Sequence, residues 1–152
     1  MTLKEWRIRM NKIAVIYWSQ TGNTQVMAES IGKGAKDAGA DIGVFQVSEF
    51  ASNEIANYDV IALGCPSMGA EELDDTEFQP FYDMVKPDLK DKKVALFGSY
   101  GWGDGEWMRT WQDDISAAGA ILFQNEGLIL NEMPDEDGIG QCEILGKNLA
   151  TY

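Results

Sequence analysis

The sequence predicts an α/β fold, a doubly wound parallel sheet of five strands with helices on both faces. Short apolar runs alternate along the chain with longer segments of helical periodicity, which is typical of β-α units joined by crossovers. The length of 152 residues is typical of one domain. The residues are 45% hydrophobic and 11% aromatic, which is enough to cover such a sheet on both faces.

Five segments have the length and apolar content of strands. Residues 13–18, 60–63 and 93–98 are almost continuously apolar, as expected for strands buried on both faces. Residues 42–47 alternate between apolar and polar side chains, which predicts a position nearer the lateral edge of the sheet. Residues 120–130 form the fifth strand, and the polar middle of this run predicts a local interruption.

Helical patterns follow the strands. In residues 24–38 apolar and small side chains share one face, and Gly39 follows as a stop signal. Similar patterns predict helices at 77–85, 107–118 and 137–152. Because strands joined by such crossovers run in the same direction, the five strands are expected to form a parallel sheet.

The charge of the chain excludes several classes of function. There are 12 Lys and Arg residues, 25 Asp and Glu residues and no His, which gives a formal charge of −13. Without histidine, Ser-His-Asp and Cys-His nucleophile pairs, histidine zinc sites and imidazole bases are all excluded. The negative charge disfavours nucleic acid and anionic membrane surfaces as partners. No catalytic residue and no metal ligand is therefore assigned.

The cysteines and the chain start bear on location and domain organisation. Cys65 and Cys142 form no CxxC motif, so neither a zinc ribbon nor a thioredoxin-type redox motif is expected. No run resembles a signal peptide or a membrane span, so we expect a cytoplasmic protein, and a monomer. Residues 1–9 are polar and basic, and we treat them as an N-terminal extension of unknown role ahead of a domain at 10–152.

Ligands of doubly wound sheets bind beyond the carboxyl ends of the strands. The segment after the first strand places hydroxyls, an amide and a permissive glycine ahead of a helix, where backbone N–H groups can bind a phosphate. An ordinary capped turn would use the same residue types, so both interpretations stay open at this point. The candidate residues are Ser19, Gln20, Thr21, Gly22, Asn23 and Thr24.

Two further segments follow the third and fourth strands. Trp102 lies between glycines that cannot cover its ring, which favours stacking on a flat ligand, and packing back onto the core is the alternative. For Met68 alone, a core position is the simpler interpretation. With the first segment, these loops predict a pocket for a planar phosphorylated ring. The candidates are Pro66, Ser67, Met68, Gly69, Ala70 and Glu71, then Ser99, Tyr100, Gly101, Trp102, Gly103 and Asp104.

The motifs SQTGNT, GCPSMGAE and ALFGSYGWGDG, in this order and spacing, resemble those of the short-chain flavodoxins. The resemblance covers about residues 10–151. It implies a flavodoxin-like fold of strand order 2-1-3-4-5 and one tightly bound, non-covalent FMN. It also implies a low-potential one-electron carrier that uses the semiquinone/hydroquinone couple between redox partner proteins, and not an enzyme.

The same resemblance assigns roles to the three segments. Residues 19–24 would hold the phosphate, and residues 99–104 would line the rim of the flavin. Trp102 would stack on one face of the flavin, Met68 would lie by the other face, and Glu71 would contact the pyrimidine edge.

Two positions depart from the family pattern. Pro66 stands where short-chain relatives often have a hydroxyl residue, and Ser67 is the candidate substitute. Ala70 stands where relatives often have Gly, Asp or Asn. The resemblance implies a turn that flips on reduction and then needs positive φ at Ala70, a conformation that disfavours a residue with a Cβ.

Acidic residues crowd the segments 71–83 and 104–114, in which Arg109 is the only cation, and this predicts redox partners with basic surfaces. The main alternative is an FMN-dependent NAD(P)H quinone or azo reductase, which would need a second pocket over the flavin. A receiver domain of the same fold needs an acidic pair after the first strand, where this chain has Trp18 and Ser19. A third alternative is a module that has lost FMN, against which the intact loops argue.

Overall fold

The structure, a computed structural model, describes residues 10–152 as alternating strands and helices. The expected N-terminal extension, residues 1–9, lies outside the described residues. The strands are β1 (Lys12–Tyr17), β2 (Asp41–Gln46), β3 (Val60–Gly64), β4 (Lys93–Tyr100), β5 (Ile121–Leu122) and β6 (Leu128–Asn131). The helices are α1 (Asn23–Asp37), α2 (Phe78–Val85), α3 (Glu106–Ala117) and α4 (Glu136–Leu149).

The sheet is parallel, with the strand order β2-β1-β3-β4-β5, and β6 pairs with β4 beyond β5. Ile13 is in register with Val60, and Val60 with Lys93, so the apolar runs lie side by side. The doubly wound fold and its order 2-1-3-4-5 are therefore confirmed. The alternating strand β2 lies at the lateral edge, as its sequence predicts.

The fifth strand is divided into two short pieces that both pair with β4. Ile121 pairs with Lys93 at one end of β4, and Asn131 pairs with Tyr100 at the other. Between the pieces, Gln124 (φ 56°) and Asn125 (φ 57°) adopt left-handed backbone conformations. These conformations turn the chain out of the extended geometry, so the interruption expected within 120–130 is present.

The core has two layers, one on each face of the sheet. Side chains alternate along a strand, so in β1 Ile16 packs with α2 and α3 whereas Val15 packs with α1 and α4. Trp107 and Trp111 of α3 are buried in the first layer. Helices therefore cover both faces, and both tryptophans are core residues.

Helices α1 and α4 pack with their backbones in close contact. A Cβ atom on Gly34 would overlap the carbonyl oxygen of Glu143, and one on Gly146 would overlap the carbonyl oxygen of Ile31. The glycines thus set the spacing of this helix pair. Helix α4 ends at Leu149, three residues earlier than the sequence predicts, and no helix within residues 10–152 is long and apolar enough to cross a membrane.

Candidate functional site

The loop between β1 and α1 presents backbone N–H groups at the carboxyl end of the sheet. The Ser19 hydroxyl accepts hydrogen bonds from the N–H groups of Gly22 (3.1 Å) and Gln25 (3.3 Å), and Gly22 has φ 99°. This bond pattern folds the loop back over the start of α1. Within residues 10–152, the N–H groups of Thr21, Asn23 and Thr24 have no hydrogen-bond acceptor, so they can bind an anion.

Two buried hydroxyls join this loop to the end of β4. The hydroxyl oxygens of Thr24 and Ser99 lie 2.7 Å apart, and the Ser99 N–H donates to the Thr24 hydroxyl at 3.3 Å. Both residues are buried. The hydrogen bonds hold the first and third candidate segments in a fixed relation to each other.

The loop after β3 lies beside the same strand end. The N–H of Cys65 donates to the Phe97 carbonyl (3.1 Å), and the N–H of Ser67 donates to the Ser99 carbonyl (3.0 Å). The Ser67 hydroxyl is buried and has no hydrogen-bond partner among the described residues. A buried hydroxyl without a partner is rare, so this atom points to a ligand that would complete its bonding.

The turn that follows is a small hairpin. Met68 and Glu72 exchange two backbone hydrogen bonds of 2.8 Å. The residues with positive φ in it are Gly69 (φ 50°) and Glu71 (φ 55°), and Ala70 is not one of them. The family resemblance implies a left-handed Ala70 only in a flipped form of the turn. In this structure the left-handed positions lie on either side of Ala70.

The loop after β4 exposes a large aromatic ring. Trp102 is 56% exposed, whereas Tyr100 packs its ring against Trp107 at a centroid distance of 5.7 Å. Tyr100 therefore anchors the loop to the core. The Glu71 side chain lies against Gly103, which links this loop to the hairpin.

The far end of the loop is held by an ion pair. Arg109 Nη2 lies 2.9 Å from Asp104 Oδ1, and Arg109 Nη1 donates to the Asp104 carbonyl at 3.0 Å. The hydrogen bond from Arg109 holds the pKa of Asp104 below its usual range. Both side chains are exposed, so the pair is weakened by salt.

Three glycines of the three loops border open space. An added Cβ at Gly22, Gly69 or Gly101 would meet no heavy atom within 4 Å. These glycines, like Ser67 and Trp102, belong to loops at the carboxyl end of the sheet. The structure thus brings the predicted segments to one end of the fold, whereas the contact of each residue with a ligand stays a prediction.

Not every carboxylate in the acidic segments 71–83 and 104–114 is exposed at the carboxyl end of the sheet. Asp74 is only 4% exposed, and it accepts hydrogen bonds from the N–H groups of Glu77 (2.8 Å) and Phe78 (2.9 Å) at the start of α2. Burial alone would raise the pKa of Asp74, but these N–H groups and the Thr76 hydroxyl lower it below the ordinary value of 3.8. Asp74 is a structural cap.

The lysines of the described chain are confined to one end along the strand direction, whereas exposed carboxylates lie at both ends. Near the amino ends of the strands the carboxylates include Asp41, Asp59, Asp88 and Asp91. Others lie in the loops and first helical turns at the carboxyl end, and Asp83 and Asp113 lie roughly 8 to 10 Å farther along their helices. Within residues 10–152, the lysines lie near the amino ends of strands or in the later parts of helices that run toward that end. They are Lys12, Lys33, Lys36, Lys86, Lys90, Lys92, Lys93 and Lys147.

Sequence reasoning missed a fourth segment at the carboxyl end. Asn131 and Glu132, at the end of β6, both donate hydrogen bonds to the carbonyl of Tyr100 (3.1 and 2.8 Å). No motif marks these residues. Only the register of Tyr100 with Asn131 places them beside the Trp102 loop.

Comparisons with known proteins agree with this architecture. The family model described as Flavodoxin matches residues 15–145. The flavodoxin of Megasphaera elsdenii is 45% identical over 138 residues, which are 91% of this chain and 98% of that protein. The flavodoxin of Clostridium beijerinckii is 43% identical over 136 residues, 90% of this chain and 97% of that protein.

Solved structures give the same result. The solution structure of two-electron reduced Megasphaera elsdenii flavodoxin has a TM-score of 0.84 at 44% identity, and the match covers 92% of this chain and 99% of that one. A flavodoxin from the domain Archaea has a TM-score of 0.83 at 26% identity, over 91% of this chain and 96% of that one.

A 2-1-3-4-5 parallel sheet with these loops at the carboxyl end defines a doubly wound α/β protein, a class whose members bind ligands at the switch point in strand order. Within that class, the chain belongs to the flavodoxin family. It is an FMN-binding electron carrier, and its partners are redox proteins.

Proposed function

We propose that the three loops at the carboxyl end hold FMN in the manner that the family resemblance implies. Residues 19–24 bind the phosphate, residues 66–71 lie along one side of the cofactor, and residues 99–104 line the rest. The observation that carries this proposal is the buried Ser67 hydroxyl without a partner, which faces no acceptor or donor within residues 10–152.

The donor chemistry of the first loop fits a phosphate group. No lysine or arginine lies in residues 19–24, so the phosphate would be held by backbone N–H groups, hydroxyls and the N-terminus of α1. Neutral donors bind the anion without adding a positive charge near the ring. This choice supports a low potential, because an electron added to the ring is not stabilised by a nearby cation.

The exposed Trp102 ring supplies a flat apolar surface for the ring system. Stacking would bury a side chain that is 56% exposed, and this burial favours binding. FMN held in these loops would supply one-electron transfer. The role of Trp102 in that exchange is to cover the ring and exclude water from one of its faces.

Partners with basic surfaces are the second part of the proposal. Glu72, Asp75 and Glu77 are exposed at the carboxyl end, and the lysines of the described chain lie toward the other end. The field of such a molecule orients its carboxyl end toward a positive partner and raises the rate of encounter at low salt.

We also propose that the chain has no substrate turnover of its own and that it acts in the cytoplasm. Two measurements address these points. In the first, the reconstituted protein is mixed with NADPH alone, and no loss of flavin absorbance within minutes is expected; rapid bleaching would favour the reductase. In the second, cell fractionation is expected to recover the protein in the cytoplasmic fraction.

The site is tested by replacing the unpaired hydroxyl. In Ser67→Ala, we expect FMN to bind about 3- to 10-fold more weakly, because one hydrogen bond to the cofactor is lost. The apoprotein should be as stable as the wild type or more stable, because a buried unsatisfied group is removed. Titration with FMN and urea unfolding of the apoprotein measure the two effects.

The matched control is Ser116→Ala, at an exposed position in the last turn of α3. It should leave the affinity for FMN unchanged. If Ser67→Ala binds FMN as the wild type does, the Ser67 hydroxyl has no place in the site, and the arrangement proposed for residues 66–71 is wrong.

A further inference from the structure

The Trp102 loop is fixed at its two ends and free of protein hydrogen bonds between them. Within residues 10–152, the backbone groups of Gly101, Trp102 and Gly103 make no hydrogen bond. Two of these three residues are glycines, so their dihedral angles are weakly restricted. The direction in which Trp102 projects is therefore set where the loop leaves β4, where it enters α3 and where Gly103 meets the Glu71 side chain.

The far end is held by the exposed pair of Arg109 and Asp104, whose strength depends on salt. The near end is held by two uncharged hydrogen bonds. The Tyr100 carbonyl accepts from the Glu132 N–H at 2.8 Å and from the Asn131 side-chain amide at 3.1 Å. Both lone pairs of this carbonyl are thus used by donors from the neighbouring strand.

The Tyr100 carbonyl controls the loop because of peptide geometry. The C=O of Tyr100 and the N–H of Gly101 lie in one rigid peptide plane. Two donors on the carbonyl fix the rotation of that plane, and with it the direction of the chain into Gly101 and Trp102. With one donor removed, the plane can rotate and the permissive glycine follows it.

The backbone of Glu132 indicates that this contact is maintained against strain. Glu132 has φ 57°, a left-handed conformation that disfavours a residue with a Cβ by about 1–2 kcal/mol. A strained residue persists only where its surroundings hold it in place. Here the conformation belongs to the residue whose N–H makes the shorter of the two bonds to Tyr100.

We propose that Asn131 and Glu132 are positioning residues for the cofactor, which act by holding the Tyr100 carbonyl and so orienting the Trp102 ring. This inference rests on the proposed stacking role of Trp102. It adds the end of β6 to the three segments that sequence motifs identify.

The test removes the side-chain donor without removing volume. In Asn131→Leu and Asn131→Asp, neither side chain can donate to the carbonyl at neutral pH, and the residue is exposed, so the fold should persist. We expect the dissociation constant for FMN to rise about 3- to 10-fold in both variants. The visible circular dichroism of the bound flavin, which reports the asymmetry of its surroundings, should change as well.

A second readout uses the apoprotein alone. The order parameter of the Trp102 indole ¹⁵N–H should fall in both Asn131 variants, because the loop is released at its near end. A purely structural role of Asn131 would lower stability and leave this order parameter unchanged. The control is Met133→Ala, at an exposed residue two positions after Asn131, and this substitution should change neither measurement.

Trp102→Ala separates failure of the inference from failure of the proposed function. One outcome is that Trp102→Ala weakens FMN binding, whereas both Asn131 variants bind FMN within twofold of the wild type. If the visible circular dichroism and the Trp102 order parameter are also unchanged in the Asn131 variants, Asn131 does not position the loop. If Trp102→Ala itself leaves binding unchanged, the stacking role is wrong and the inference is overturned with it. A weaker affinity for FMN in all three variants supports both the stacking role of Trp102 and the positioning role of Asn131.

Discussion

Two buried polar side chains near the ligand loops have opposite bonding states. The carboxylate of Asp74 accepts four hydrogen bonds, two from Thr76 and two from the N–H groups of Glu77 and Phe78 at the start of α2. The hydroxyl of Ser67 makes no hydrogen bond within residues 10–152. A satisfied buried group contributes to stability, and an unsatisfied one weakens it until a ligand arrives. At the scale of single residues, Asp74 therefore contributes to folding, and Ser67 is the residue that we propose for binding.

The role of Asp74 predicts a pH-dependent stability difference. In Asp74→Ala we expect the free energy of unfolding at pH 7 to fall by about 1–2 kcal/mol, as for the loss of a helix cap. The folded-state pKa of Asp74 lies below its ordinary value of 3.8. The stabilisation is therefore full above about pH 4 and is lost as the pH falls through the lower, folded-state pKa.

Urea unfolding at pH 7, 4 and 2.5 measures this difference, with Asp75→Ala as the control at an exposed neighbouring carboxylate. The gap between wild type and Asp74→Ala should narrow at the lowest pH, while Asp75→Ala should follow the wild type. A gap of equal size at all three pH values would mean that the cap acts through packing and not through its charge.

At the scale of elements, the glycines between α1 and α4 determine how closely the two helices approach. Gly146→Ala should destabilise the fold by about 1–3 kcal/mol, because its Cβ would overlap the backbone of α1 at Ile31 and the helices would have to separate. Gly140 lies in the same helix with no heavy atom within 4 Å of an added Cβ. Gly140→Ala should thus be neutral or stabilising by up to about 1 kcal/mol.

Thermal unfolding followed by far-ultraviolet circular dichroism compares the two variants. Equal melting temperatures for Gly146→Ala and Gly140→Ala would show that the helix contact tolerates an added methyl group. Both substitutions have the same effect on helix propensity, so any difference between them reports the contact itself.

The sequence predicts the elements well where one local pattern decides the structure. The apolar runs of β1, β3 and β4 and the glycine after α1 are such patterns. The two pieces of the fifth strand are different, because the left-handed Gln124 and Asn125 follow from how β5 and β6 each pair with β4. The preference of single residues for strand or turn does not predict that pairing.

The residues of the candidate site also divide into those that a local sequence pattern identifies and those that depend on tertiary structure. Its three motif segments could be placed from the sequence because parallel strands bring their carboxyl ends to one side. Asp74 could not be separated from the neighbouring acidic residues, since a charge run does not reveal which carboxylate turns inward. Asn131 could not be found at all, because its relation to Tyr100 is one of strand register.

At the scale of the whole molecule, the positions of the carboxylates should affect the redox potential and the rate of partner encounter more than the net charge does. In Glu72→Gln combined with Asp75→Asn, two carboxylates at the carboxyl end become neutral, and the more negative of the two one-electron potentials should rise by tens of millivolts. Reduction by a basic partner should also slow at low salt, because the steering field is weaker.

The matched control, Asp83→Asn combined with Asp113→Asn, changes the net charge by the same amount at positions farther along α2 and α3. Redox titration and stopped-flow reduction at two salt concentrations compare the pairs. Equal shifts in both double variants would indicate that only the total charge matters, and the proposed role of the carboxyl end in docking would then be wrong.

The one-sided placement of the lysines has a practical consequence for attaching this protein to a solid support. Amine-reactive reagents would link residues 10–152 through lysines such as Lys90, Lys92 and Lys93, which lie near the amino ends of the strands. The loops at residues 19–24, 66–71 and 99–104 contain no lysine, so the coupling chemistry would leave them facing outward. A film coupled through these lysines to a carboxylate-activated electrode should therefore present the three loops to proteins in solution without any engineered tag.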